Sequence, residues 1–274
     1  MLELPEVLAF SKQFNASIAG RRILAVLPPS KPHKFCWFAG DPADYDARMR
    51  SAVLTGASGF GSQLDLLLDN GLALCVSDGV NLRFLESGEA SGDHQLLIRF
   101  EDGSALVFTV AMYGGIVLHD EAYDNPYYQK SKAAISPFSD AFESYFRALF
   151  SASKPTLSAK AFLATEQRFP GIGNGVLQDI LLNAGIHPKR KIGSLSPEEQ
   201  MRLLEATVTT LREMTERGGR DTEKDFFGNP GGYRTKLSKN TLAFPCPQCG
   251  GTITKEAYLG GAVYYCSNCQ PLTK

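Results

Sequence analysis

Four of the six cysteines lie near the C-terminal end as two pairs: Cys246-x-x-Cys249, sixteen residues, then Cys266-x-x-Cys269. Each pair puts two thiolates on one tight knuckle, and two knuckles complete a tetrahedron around zinc. Gly250-Gly251 lets the chain turn closely about the first pair, and residues 252–265 have hairpin character around Gly260-Gly261. A redox pair or disulfides would use the same residues. The spacing and a reducing compartment favour one structural Zn2+, closed by four protein ligands and therefore not catalytic. A second chemical element is Phe169-Pro-Gly-Ile-Gly-Asn-Gly-Val176. Its glycines, Gly171, Gly173 and Gly175, bring backbone N–H groups to the start of a helix, which suits an anion, and Asn174 adds a side-chain donor. A plain capped helix turn has the same spacing. Lys189-Arg190-Lys191 follows downstream and reads either as a binding patch or as a solvated face.

These residues need elements to hold them. Residues 3–20 read as a helix: Pro5 suits the first turn, Val7, Phe10, Phe14 and Ile18 recur at spacings of three and four, and Gly20 supplies the stop. Strand-like segments follow at 22–27, 63–68, 72–76, 81–85, 95–100, 106–110 and 116–119, several separated by turn signals such as Asp69-Asn70-Gly71 and Glu101-Asp102-Gly103. Such a series predicts an antiparallel sandwich or barrel rather than alternating βαβ units. From Asp140 the texture becomes helical. Phe142, Tyr145, Phe146 and Leu149 form one apolar face, 157–167 and 175–184 read as further helices, and Ser196-Pro197-Glu198-Glu199 is a capping box opening another. Residues 220–242 are rich in Gly, Lys and Asn and read as a loop or linker. Cys36 and Cys75 stand alone among apolar neighbours and read as buried structural thiols.

The charge is nearly balanced, 28 Lys+Arg against 29 Asp+Glu, which gives no sign of a nucleic-acid partner for the chain as a whole. The halves differ. Residues 1–150 hold 12 basic and 18 acidic residues (net −6), and 151–274 hold 16 and 11 (net +5), so the second half is the one suited to an anionic partner. No apolar run approaches the roughly 18 residues of a membrane span. Glu3 and Glu6 stand where a secretory signal would carry Lys or Arg, which points to a reducing, cytoplasmic setting.

Met-x-Glu-Leu-Pro-Glu-Val at the start, Pro137-Phe-Ser-Asp-Ala-Phe142, Gly171-Ile-Gly-Asn-Gly175, Ala184-Gly-Ile-His-Pro188 and Tyr265-Cys-Ser-Asn-Cys-Gln270 occur in the order found in one family. The whole chain resembles the formamidopyrimidine-DNA glycosylase / endonuclease VIII family of base-excision repair enzymes. The resemblance implies an α+β chain: an N-terminal helix with a β-sandwich (1–125), a helix–two-turn–helix domain (126–230) and a zinc finger (231–274). It implies a monomer acting on damaged or distorted double-stranded DNA, held to the bacterial nucleoid through that DNA and not to a membrane. DNA would lie in the cleft between domains. Asn174, with the amides of Gly173 and Gly175, would hold phosphates, and Lys189, Arg190 and Tyr113 would add DNA contacts.

In that family the amine of an N-terminal proline, exposed by Met removal, attacks the sugar C1′ of an extruded nucleotide, and the following Glu handles protons. This chain keeps Glu3 but has Leu2 in place of the proline. Leu is too bulky for routine Met removal, which leaves the amine on Met1. The family's strand lysine falls around Ser62. Its base-replacing Met, Arg and Phe fall on Asp78, on Met112 or Tyr113, and on Gly114; the finger arginine falls on Gly261. Three readings follow: a glycosylase working through Met1 and Glu3 with little strand-nicking lyase activity; a non-catalytic DNA-binding protein of the same fold; and a binder of RNA or protein using Tyr127-Tyr128 and Tyr264-Tyr265.

Overall fold

Glu6 returns its carboxylate to the backbone N–H of Glu3 at 3.3 Å and so closes the start of helix α1 (Leu4–Ser17), where Pro5 loses nothing by lacking an N–H. The computed structural model describes residues 2–87 and 92–272. After α1 come strands β1 (Ile23–Leu27) and β2 (Cys36–Trp37) and the short helix α2 (Tyr45–Met49). Then follow β3 (Leu54–Phe60), β4 (Gln63–Leu68), β5 (Ala73–Ser77), β6 (Val80–Leu85), β7 (Leu96–Phe100), β8 (Ala105–Val110) and β9 (Gly114–His119). They build a four-stranded sheet, β1-β7-β8-β6, and a five-stranded sheet, β2-β9-β5-β4-β3. Leu66, Leu74 and Ile116 from one sheet meet Leu82, Ile98 and Phe108 from the other in a single core, capped by Phe10 and Phe14 of α1. This is the expected sandwich.

Strand β3 is not legible in the sequence because Gly56, Ser58 and Gly59 dilute its β-propensity. Its register against β4, with Phe60 opposite Gln63, supplies what propensity does not.

The helical part begins with α3 (Pro126–Lys132), capped by Asn125, whose side chain accepts from the Tyr128 N–H. Tyr127 and Tyr128 are therefore helical. Next come α4 (Phe142–Ala152), α5 (Ala159–Ala164), α6 (Asn174–Ala184) and α7 (Pro197–Glu216), the last opened by the expected Ser196–Glu199 capping box. The helix expected at 157–167 is only six residues long. Thr165 Oγ1 and the Arg168 guanidinium both donate to the carbonyl of Ala161, and Glu166 and Gln167 turn left-handed (φ 55° and 50°). Phe142, Phe146, Phe162 and Phe169 lock rings in a second core with Ile180 and Leu211. A third, small core joins Leu182 of α6 to Leu237, Cys246 and Cys266 around the hairpin β10 (Ile253–Tyr258) and β11 (Gly261–Cys266).

Residues 220–242 are not a linker. Phe226 inserts into the first core, 4.5 Å from the Phe10 ring, Tyr233 enters the second and Leu237 the third. The segment lacks periodicity because successive apolar residues go to different cores. Cys75 is buried as expected, but beside Asp65, Gln63 and His119 rather than among apolar groups, and Cys36 is only half-buried. No helix among the described residues is long and apolar enough to cross a membrane.

Candidate nucleic-acid interface

A cleft of about 470 Å³ opens where the sandwich, the helical part and the β10–β11 hairpin meet. Its floor is the junction between the chain's start and α6. Glu3 is buried, and its carboxylate accepts from the N–H groups of Gly175 (2.8 Å) and Val176 (2.7 Å). The anion that the Gly-rich helix start receives is thus the protein's own Glu3. This corrects the expectation that the Gly175 amide is open to phosphate. A Cβ at Gly173 would lie 2.5 Å from Glu3 Oε1, and one at Gly175 only 1.5 Å from an Arg220 nitrogen, so both positions need glycine for close approach. Arg220 grips Glu6 through two bonds of 2.9 Å and stands 3.4 Å from Glu3. Burial pushes the Glu3 carboxyl above its ordinary range; Arg220 opposes this, and Glu6 adds to it. Nothing in the local sequence signals Arg220, which lies 214 residues from its partner Glu6.

Leu2 is buried at the cleft edge, and its backbone N–H donates to the Asp78 carbonyl at 2.6 Å. Met1 lies outside the described residues. Asp78 adopts a left-handed conformation (φ 56°) and turns its carboxylate inward to accept from Tyr127 Oη at 3.0 Å. Tyr127 in turn meets Ser62 Oγ at 2.8 Å. Burial raises the Asp78 carboxyl, while the bonds from Tyr127 and Ser77 lower it. Beside Asp78, Met112 and Tyr113 stand exposed in the turn between β8 and β9, where the Gly79 N–H donates to the Tyr113 carbonyl at 2.9 Å. Gly114 is held in β9, beside Cys36 of β2, and is not on the lining.

Asn174 faces the cleft and also ties α6 to the hairpin: its Nδ2 donates to the Ala262 carbonyl at 2.7 Å, while its Oδ1 is buried without a partner. Gln178 reinforces the joint by donating to Ala262 and accepting from the Tyr264 N–H. Gly261 lies beside Asn174 on the same wall. Lys189 and Arg190 lie off the lining: Lys189 pairs with Glu256 at 2.6 Å, and Arg190 is clamped on Glu199. Of the lysines, the one that lines the cleft is Lys160, which the sequence does not single out; it is buried, and its Nζ donates to the Tyr258 carbonyl at 2.6 Å. Burial pulls its ammonium below the ordinary lysine range.

The four paired cysteines gather at the base of the hairpin. Their sulfurs all lie within 4.8 Å of one another, with Cys246–Cys269 at 3.8 Å and Cys249–Cys266 at 3.5 Å. A tetrahedron with metal–sulfur bonds of about 2.3 Å has edges of about 3.8 Å, so the four residues fit a metal of zinc's size.

No protein-family profile matches the chain. Curated formamidopyrimidine-DNA glycosylases do match along its full length. That of Hydrogenovibrio crunogenus is 30% identical over 277 residues, 98% of this chain and 96% of the relative. That of Idiomarina loihiensis is 30% identical over 279 residues, 98% and 100% of the two. The chain belongs to the formamidopyrimidine-DNA glycosylase family. The fold agrees: the Lactococcus lactis glycosylase in complex with abasic-site DNA superposes with a TM-score of 0.83 over 98% of this chain and 99% of that one, at 19% identity. Within the formamidopyrimidine-DNA glycosylase frame, five positions expected to depart from the family's pattern, Leu2, Ser62, Asp78, Gly261 and one of Met112 and Tyr113, line one cleft, together with Glu3 and Asn174.

Proposed function

We propose that this protein binds damaged or distorted duplex DNA in the cleft, as a repair protein of the base-excision type, and that strand-nicking chemistry does not run through its N-terminal amine. The hydrogen bond from Leu2 to Asp78 supports the second part. With Met1 retained, the nitrogen at residue 2 is a peptide N–H, bonded to Asp78, whose lone pair is delocalised into the amide and cannot attack a sugar, and the free amine stands one residue further from Glu3. The four-cysteine cluster would hold one structural zinc through Cys246, Cys249, Cys266 and Cys269, and that ion would fix the hairpin against α6.

DNA grip in this reading rests on phosphate neutralisation, so affinity is expected to fall steeply as salt rises. Replacing Asn174 with Ala is expected to weaken duplex binding at least tenfold, to a similar degree across sequences, because it strips a polar side chain from the cleft wall and loosens the hairpin joint. Fluorescence anisotropy on abasic, nicked and intact duplexes measures both. Salt-indifferent binding would count against the proposal.

Borohydride trapping tests the chemistry. The native protein is expected to give no adduct through its N-terminus with duplexes carrying an oxidised base or an abasic site. Lys160 favours a second reading, in which its amine, made more available by burial in the same cleft, forms the adduct instead. A trapped species that persists in Lys160→Ala and maps to the N-terminal peptide would overturn the proposal, whereas one lost in Lys160→Ala would establish the second reading.

A further inference from the structure

A second cluster of ligand-type side chains sits on the outer face of the five-stranded sheet, on different elements from the four paired cysteines. Asp65 of β4 and Cys75 of β5 are direct cross-strand partners, and Cys75 also faces Val117 of β9. His119, two residues further along β9, projects from the same face because side chains alternate along a strand. All three residues are buried, and their ligand atoms lie within 4.8 Å of one another.

The hydrogen-bond pattern leaves this cluster short of a cation. His119 Nδ1 lies 2.9 Å from the Asp120 backbone carbonyl. A carbonyl can only accept, so Nδ1 donates to it, and Nε2 is the ring atom left to meet Asp65. Nε2 faces Asp65 Oδ1 at 3.8 Å, and both atoms are buried without a hydrogen-bond partner. A positive charge is favoured between these two dry atoms, and it is either a proton on Nε2 or a shared cation. A separation of 3.8 Å is too long for a hydrogen bond, but it suits a shared ion bound at about 2.0–2.2 Å by each atom.

The surroundings match a metal site. Tyr128 Oη donates to the other Asp65 oxygen at 2.6 Å, and Lys132 donates to Tyr128 at 2.9 Å. The Lys132 ammonium is half-exposed and approaches only that outer oxygen, at 4.0 Å, so it does not answer the inward-facing pair. A histidine oriented by a carbonyl and a carboxylate oriented by a hydroxyl are the outer supports that ligands of bound metals usually have. A thiolate, an imidazole and a carboxylate suit zinc, whereas calcium and magnesium demand shells of oxygen.

We propose that Asp65, Cys75 and His119 form a second zinc site. Three protein ligands leave one coordination position, and Cys75 lies on the wall of a cleft of about 620 Å³ lined by Trp37, Tyr113 and Tyr123. The fourth position opens to that cleft. None of the three ligands lines the DNA cleft, so the site stands independently of the DNA-binding reading.

Zinc counting on the full chain tests this. Protein saturated with zinc chloride, dialysed and analysed by plasma mass spectrometry is expected to hold two zinc ions per chain, and Cys75→Ala and His119→Ala one each. Cys75→Ala substitutes a small apolar side chain and is the variant expected to keep the fold if His119→Ala does not, with circular dichroism as the check. Cobalt substitution gives an independent readout: the native protein should show bands of a mixed sulfur–nitrogen–oxygen site that vanish in Cys75→Ala, leaving those of the four-cysteine site. One zinc per chain in the native protein, with cobalt spectra identical to those of Cys75→Ala, would overturn the proposal.

Discussion

Replacing Cys266 with Ser is expected to abolish the metal binding proposed for the four cysteines, unfold the β10–β11 hairpin and reduce DNA affinity by two orders of magnitude or more. Cys266 is fully buried, and the core around the hairpin among the described residues is small, with Leu182, Leu237, Cys246, Ile253 and Tyr264 buried beside it and Ala262 and Cys269 packed against them. So small an apolar cluster does not hold the finger in place without a staple, and a structural zinc supplies on the order of 10 kcal/mol of apparent binding energy that becomes folding energy. Loss of the hairpin propagates to the cleft, because Ala262 is the acceptor that holds Asn174, and Gln178 is bonded to both Ala262 and Tyr264. The sandwich has its own core and should survive. Far-UV circular dichroism should therefore change little while anisotropy with abasic duplex collapses, and amide exchange should quicken selectively in residues 253–266. Unchanged binding in a zinc-free variant would show that the four cysteines do not organise the interface.

The parts of this molecule that the sequence announces are those whose determinants are local. The cysteine spacing, the Ser196–Glu199 box and the periodic apolar face at Phe142 and Phe146 each need only a few neighbouring residues to be read, and each appears in the structure as expected. The glycine-rich turn is an anion-receiving helix start, as its spacing suggests, but its anion comes from Glu3, 172 residues away from Gly175, and no local pattern carries that information. The segment 220–242 fails for the same reason. Its composition is that of a loop, yet Arg220, Phe226, Tyr233 and Leu237 are each specified by partners elsewhere in the chain. Lys160 looks like any helical surface lysine until the hairpin folds over it and Tyr258 accepts its hydrogen bond. In the β-rich half, β3 is legible only through β4. The cluster of Asp65, Cys75 and His119 appears only once the strand registers are known.

The ion pair at the cleft floor sets the other large effect. Replacing Arg220 with Ala is expected to destabilise the protein by about 3–5 kcal/mol, measured by urea unfolding, because it leaves Glu6 and Glu3 buried without their cation. Arg220→Lys should recover only part of this, since an ammonium cannot reproduce the forked contact with both Glu6 oxygens. Replacing both partners, Glu6→Gln with Arg220→Met, should cost less than the sum of the single changes, because the Glu6 charge goes with its cation and only Glu3 is left buried without the guanidinium. The pH dependence has a definite sign. Burial already holds the Glu3 carboxyl above its ordinary value of 4.5, and Arg220 is the largest influence pulling it down. Without Arg220 the folded-state pKa rises further, so the folded protein takes up a proton that the unfolded chain does not. Stability of the variant is then present below the unfolded value near 4.5 and lost as pH rises through the folded one. Its deficit against the native protein should therefore be smallest below the unfolded value of 4.5 and grow as pH rises toward neutrality. A deficit independent of pH would mean that Arg220 acts through packing, against the Gly175 backbone that lies beneath its guanidinium, rather than through charge.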